Sequence, residues 1–122
     1  MSPSTPILAA RRVHFVGIGG MGMSALARML LARGVAVSGS DFADSPLLPA
    51  LAAAGAHLMR GHQPGQLGAA ELVVRSSAIA EDNPELQEAR DRGVPVVHRS
   101  ELLTALMNDR RTVAVAGTHV VS

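Results

Sequence analysis

Short continuous apolar runs alternate along this chain with longer stretches in which apolar residues recur every three or four positions. The runs are "VHFVG" from Val13, "VAVSG" from Val35, "AHLMR" from Ala56, "LVVRS" from Leu72, "VPVVH" from Val94 and "TVAVAG" from Thr112. Few of them alternate strictly. Continuous runs are expected of strands in a parallel sheet whose two faces are both covered by helices. Between the first two runs, Met23, Leu26, Ala27, Leu30 and Leu31 form one helical face, with Gly34 as its C-terminal cap. The order predicts an α/β domain with a mainly parallel sheet of five or six strands.

The other helices are marked by their punctuation. "DSPLLPALAAAG" offers Ser45 as N-cap, Pro46 in the first helical position and Gly55 as the stop, with Pro49 distorting the first turn. "DNPELQEARDRG" repeats the device with Asn83 or Asp82, Pro84 and Gly93. "RSELLTALMNDR" predicts a last short helix. "GHQPGQLGAA" is the least defined stretch and accommodates at most a short helical turn.

Composition narrows the function classes. The 122 residues suit one domain, and 48% of them are hydrophobic, so a core is available. Phe15 and Phe42 are the whole aromatic content, which makes the core aliphatic and gives single-stranded nucleic acid little to stack on. All basic residues are arginines, and they are scattered. With a net charge of +1 this is compatible with a phosphate-bearing ligand but not with a nucleic-acid footprint. Cysteine is absent, which excludes thiol chemistry. The opening "MSPSTPILAARR" does not read as a signal peptide and no run has the length of a membrane span, so a cytoplasmic protein with no membrane partner is expected.

The densest chemical signal lies in "VHFVGIGGMGMSALARMLLARGVAVSGSD". Gly17, Gly19 and Gly22 follow a strand and open a helix with the spacing of a dinucleotide-binding, Rossmann-like loop. In that reading Gly17 makes the turn, Gly19 lets a diphosphate approach the backbone and Gly22 permits close helix–strand packing. The helix start supplies unpaired N–H groups to an anion. Asp41, at the end of the second strand, is placed to accept hydrogen bonds from a ribose or base edge; its bland alternative is a solvent-exposed turn carboxylate. His14, His57 and His98 lie in or beside strands without metal-ligand spacing and receive no role.

"HFVGIGGMGMSALARMLL", "VSGSD", "SSAIAEDNPELQEA" and "AGTH" together resemble, in order and spacing, the N-terminal domain of the UDP-N-acetylmuramate–L-alanine ligases of peptidoglycan synthesis, in the Mur ligase family. The resemblance runs from Arg12 to His119. It implies a three-layer domain over 12–116 that binds UDP-N-acetylmuramate or UDP, preceded by a flexible segment over 1–11. By motif, the turn Gly17, Ile18, Gly19, Gly20, Met21, Gly22 and Met23 would hold the diphosphate. Ser40 and Asp41 would contact the uridine, and His62, Ser76, Ser77 and Ala78 would line the rest of the cleft. Read without the resemblance, the two serines cap a strand end and His62 is a turn residue.

The same resemblance assigns ATP and magnesium to a central domain and the amino acid to a C-terminal domain. The sugar's lactyl carboxylate would be activated by ATP before L-alanine attacks. In the family, Gly-Thr-His runs on into Gly-Lys-Thr. Here Gly117, Thr118 and His119 match, but Val120, Val121 and Ser122 follow, and no lysine occurs anywhere. The stretch 117–122 is therefore read as the truncated start of the ATP loop, on a ligase fragment that has no catalytic residues and binds neither ATP nor magnesium itself. A natural remnant that keeps the sugar-nucleotide module is the other account of the ending. Two further classes stay open: an NAD-binding domain of a dehydrogenase or redox sensor, and a structural or regulatory module.

Overall fold

The computed structural model describes residues 5–109. The elements run α1 (Thr5–Ala9), β1 (Arg12–Val16), α2 (Met21–Ala32), β2 (Ala36–Asp41), α3 (Leu48–Ala53), β3 (His57–Arg60), β4 (Leu72–Arg75), α4 (Pro84–Asp91), β5 (Val96–His98) and α5 (Arg99–Asn108). The five strands form one sheet in the order β3-β2-β1-β4-β5, and every pairing is parallel. The run from Thr112, the sixth strand candidate, lies outside the described residues.

Alternation of side chains along the strands sorts two cores. Val13, Phe15, Val37, Leu72, Val74 and Val97 face one way, against Leu26 and Leu30 of α2, Leu51 of α3, and Leu102 and Leu106 of α5. Val16 and Val73 face the other way, against Leu86 and Ala89 of α4 and Leu67 of the loop after β3. This is the three-layer α/β/α arrangement expected, and both cores are aliphatic apart from Phe15.

Helix ends follow the sequence in part. Past the end of α2, Gly34 N–H bonds to Leu31 O at 3.0 Å and Val35 N–H to Leu30 O at 3.0 Å, which closes the last turn as expected. Asn83 is the cap of α4, its side chain accepting from Glu85 N–H at 2.9 Å. Ser45, by contrast, does not cap α3. The helix begins at Leu48, with Pro49 in its first turn, and Pro46 lies before it. The Ser45 hydroxyl instead accepts from Leu47 N–H at 3.2 Å, in the turn before the helix, and donates to Gly19 O at 3.0 Å, so it ties that turn to the glycine loop. Within the stretch expected to be flexible, Ile7 and Leu8 of α1 pack against the larger core. The loop over 61–71 is a series of turns held by α4: Gly65 N–H bonds to Glu88 Oε1 at 2.6 Å.

Candidate functional site

In a parallel sheet the ligand crevice forms where connections leave the strand carboxyl ends in opposite directions. Here β1 leads to β2 on one side, while β4 lies on the other. The glycine loop after β1 and the loop after β4 accordingly flank one cleft of about 500 Å³, lined by Gly17, Gly20–Met23, Asp41, Ser76–Ile79 and Arg99.

The loop is held tightly by its own neighbours. Gly17 and Ile18 N–H both donate to Ser40 O, at 2.8 and 3.0 Å, and Gly20 N–H donates to Gly17 O at 3.3 Å. Gly19 N–H donates to Asp41 Oδ2 at 2.8 Å. The sequence expectation that the whole turn offers N–H groups is thereby narrowed to Met21, Gly22 and Met23. These open α2 without intrahelical acceptors, and no side chain caps them. Such a helix start carries partial positive charge.

Gly17, at φ +84°, makes the turn as the motif expects, while Gly19 and Gly22 meet neighbours other than those the motif assigns. A Cβ on Gly19 would sit 2.8 Å from Asp41 Oδ2 and 3.1 Å from Ser45 Cβ, so the loop's own carboxylate already approaches there. Gly22 faces Arg99 Nη1, 3.4 Å from its would-be Cβ, and not a strand. The closest approach falls on Gly39 of β2 instead, where a Cβ would collide with the side chain of Ile18 from the loop after β1. The signal was present: a glycine inside the strand "VAVSGSD" marks a close approach.

Arg99 is the residue that sequence reasoning missed. It begins α5 beyond the end of β5, and its exposed guanidinium reaches over the start of α2. Among the described residues it has no ion-pair or hydrogen-bond partner. Opposite, Arg75 shapes the wall made by Ser76, Ser77 and Ala78. Its guanidinium bonds to Ile79 O at 2.5 Å and to the Glu81 carboxylate. With Arg90 also on it, Glu81 is held below the usual carboxylate range. His98, given no role above, caps α5 by accepting from Ser100 N–H at 3.1 Å, which leaves Nε2–H to donate to Ser77 Oγ at 2.8 Å.

Ser40 and His62 do not open onto the cleft. Ser40 is fully buried, and its hydroxyl donates to Glu85 Oε1 at 2.8 Å and accepts from His62 Nδ1 at 2.8 Å. Glu85, also fully buried, receives His14 Nε2 at 2.5 Å, Gln66 Nε2 at 2.8 Å and Gln63 N–H at 3.1 Å as well. His14 Nδ1 completes the set on Ser38 Oγ at 2.8 Å. This network ties β1, β2, α4 and the loop after β3 together beneath the cleft, and among the described residues no buried side-chain polar atom lacks a partner. Burial pushes the Glu85 carboxyl up, but the bonds from His14, Ser40 and Gln66 and the His14 charge outweigh it and hold it below the usual range.

Among the described residues no group of three or more His, Asp or Glu gathers to hold a metal ion, and no helix is long and apolar enough to cross a membrane. Gly117, Thr118 and His119 lie outside the described residues.

The sequence profile described as the Mur ligase family, catalytic domain, matches residues 12–111. The chain is 62% identical over 108 residues to a UDP-N-acetylmuramate–L-alanine ligase of Arthrobacter sp. (strain FB24), covering 88% of this chain and 23% of that relative. It is 54% identical over 120 residues to a Streptomyces coelicolor protein of the same name, covering 98% and 26%. The solved UDP-N-acetylmuramate–alanine ligase of Thermotoga maritima superposes with a TM-score of 0.73 at 34% identity, over 75% of this chain and 21% of that one. A murein peptide ligase from Psychrobacter arcticus gives 0.72 at 28% identity, over 77% and 20%. The chain spans about a quarter of the length of the curated relatives it matches. With the profile matched from β1 through the glycine loop and on to α5, this chain belongs to the Mur ligase family.

Proposed function

We propose that this domain binds UDP-N-acetylmuramate and, in a complete protein, presents the sugar's lactyl carboxylate for ATP-dependent joining to L-alanine. The observation that carries the reading is the Arg99 guanidinium, without a partner among the described residues, lying beside the open start of α2 in one cleft. A diphosphate needs donors and positive charge together, and those two elements supply both. Ser76 and Ser77 add hydroxyl donors from the facing wall. Gly17 to Gly20 set the loop's shape, and Asp41 at the rim takes hydroxyl donors from the nucleoside. Ser40 and His62 act from below, by fixing the carboxyl end of β2.

ATP and magnesium, when bound to a complete protein, supply the activation of the carboxylate; no residue from 5 to 109 is assigned a part in that step. A phosphate loop needs a lysine for the terminal phosphates, and this sequence has none. A thermal shift series tests the reading. UDP-N-acetylmuramate and, more weakly, UDP raise the melting temperature, while NAD and ATP leave it unchanged. With ATP, magnesium, L-alanine and the sugar nucleotide present, this chain releases no phosphate above background. A response to NAD with none to the uridine nucleotides overturns the assignment.

A further inference from the structure

Phe42 directly follows Asp41 at the carboxyl edge of the sheet and is 69% exposed. The chain's other phenylalanine, Phe15, is fully buried, so Phe42 is the one phenyl ring that a ligand at this edge can meet. One exposed phenylalanine on a surface is ordinary. This one is fixed in place. Its ring stands at 86° to that of His62, with centroids 4.5 Å apart. Its Cε1 lies 3.7 Å from the position of a Cβ on Gly61, so a glycine leaves the ring room to lie against the turn. Its carbonyl accepts from Arg60 at 3.4 Å.

His62 is itself immobilised by Ser40 at 2.8 Å and by Glu85 at 3.3 Å. A buried carboxylate thus orients an imidazole, and the imidazole orients an exposed ring. An edge-to-face pair of this kind fixes the angle of an aromatic plane while leaving a face of it open. A planar heterocycle gains most from such a face, because stacking tolerates any base but requires a flat partner. Asp41 next to it supplies an acceptor for polar groups of the same nucleoside.

Resting on the nucleotide reading above, we propose that Phe42 is the stacking platform for the base, with His62 as the residue that positions it. The network around Glu85 then has a ligand-directed purpose, although neither Ser40 nor His62 opens onto the cleft.

The test titrates this chain calorimetrically with UDP and with inorganic pyrophosphate. Phe42→Ala weakens UDP binding about five- to a hundred-fold and leaves the pyrophosphate affinity within about twofold of the parent. Phe42→Trp keeps UDP binding, and its emission, the sole indole signal in the chain, is quenched on saturation. His62→Asn retains a donor where Nδ1 stood but removes the ring. It weakens UDP binding in the parent and has no further effect in the Phe42→Ala background. Phe42→Ala binding UDP as tightly as the parent, or losing pyrophosphate equally, overturns the platform. An unquenched indole does the same, and equal His62→Asn losses in both backgrounds overturn the positioning role. A parent that binds pyrophosphate but not UDP refutes the nucleotide reading itself, and the platform with it.

Discussion

Asp41 Oδ2 accepts from Gly19 N–H at 2.8 Å, so the carboxylate that ends β2 occupies a donor of the loop that ends β1. Its other oxygen accepts from Ala43 N–H at 3.1 Å. The loop is thereby preformed, and a negative charge stands at the rim of a cleft whose proposed ligand is an anion. Asp41→Ala releases Gly19 N–H and removes the repulsion. Pyrophosphate should bind this variant more tightly than the parent, whereas UDP loses its contact to the carboxylate and gains less. Stability falls by about 1–2 kcal/mol, for two half-exposed bonds to a charged group. Calorimetry and urea unfolding of the same preparation check both parts, and a uniform gain for both ligands refutes the nucleoside contact.

Arg99 has no partner to lose among the described residues, so Arg99→Ala should leave urea unfolding within about 0.5 kcal/mol of the parent. UDP binding, in contrast, weakens about tenfold or more, and its dependence on salt becomes shallower. Titrations at low and high ionic strength measure this. Unchanged affinity at both would remove the guanidinium from the phosphate site.

Two glycine substitutions separate binding from folding. Gly19→Val brings a side chain against the carboxylate of Asp41 and the Cβ of Ser45, both partly exposed residues beside the cleft. The protein stays folded by circular dichroism but loses UDP binding. Gly39→Ala places a methyl within 2.6 Å of Ile18 Cβ in the core, where nothing can swing away. It costs about 2–3 kcal/mol, and Ile18→Ala in the same chain recovers part of that. Additive losses in the double variant would show that the two residues do not meet.

Acidification should act through Glu85. Its carboxyl lies below the usual range in the folded state because the bonds made to it outweigh its burial. A depressed folded pKa contributes stability above the unfolded value and loses it as pH falls through the folded one. The melting temperature therefore declines as the pH falls below the ordinary glutamate range. Exposed Asp44 and Glu81, also lowered by arginine partners, add to the decline, so the informative quantity is the difference from Glu85→Gln. That variant is less stable at neutral pH, since a buried network loses its acceptor charge. Its decline with acid is shallower. Parallel curves would mean that Glu85 does not titrate with unfolding.

The sequence by itself determined five strands, the layer order and the glycine loop between β1 and α2. Continuous apolar runs admit few arrangements other than a covered parallel sheet, and "GIGGMGMS" between a strand and a helical face leaves little choice of site. Those are local or periodic signals, readable one element at a time. What only the tertiary structure decided are pairings between distant residues. Ser45 reads as a helix cap in the sequence, but α3 starts only at Leu48 and the Ser45 hydroxyl donates to Gly19 O of a distant loop. Gly22 looked like the packing glycine until Ile18 was found on Gly39. Glu85 carried no signal in "NPELQ", yet its carboxylate gathers side chains from β1, β2 and the loop after β3, because a buried charge is tolerated only where several donors converge on it. Arg99 reached the cleft for a related reason: the parallel sheet brings every strand's carboxyl end to one edge, so the residue that follows β5 faces the loop that follows β1.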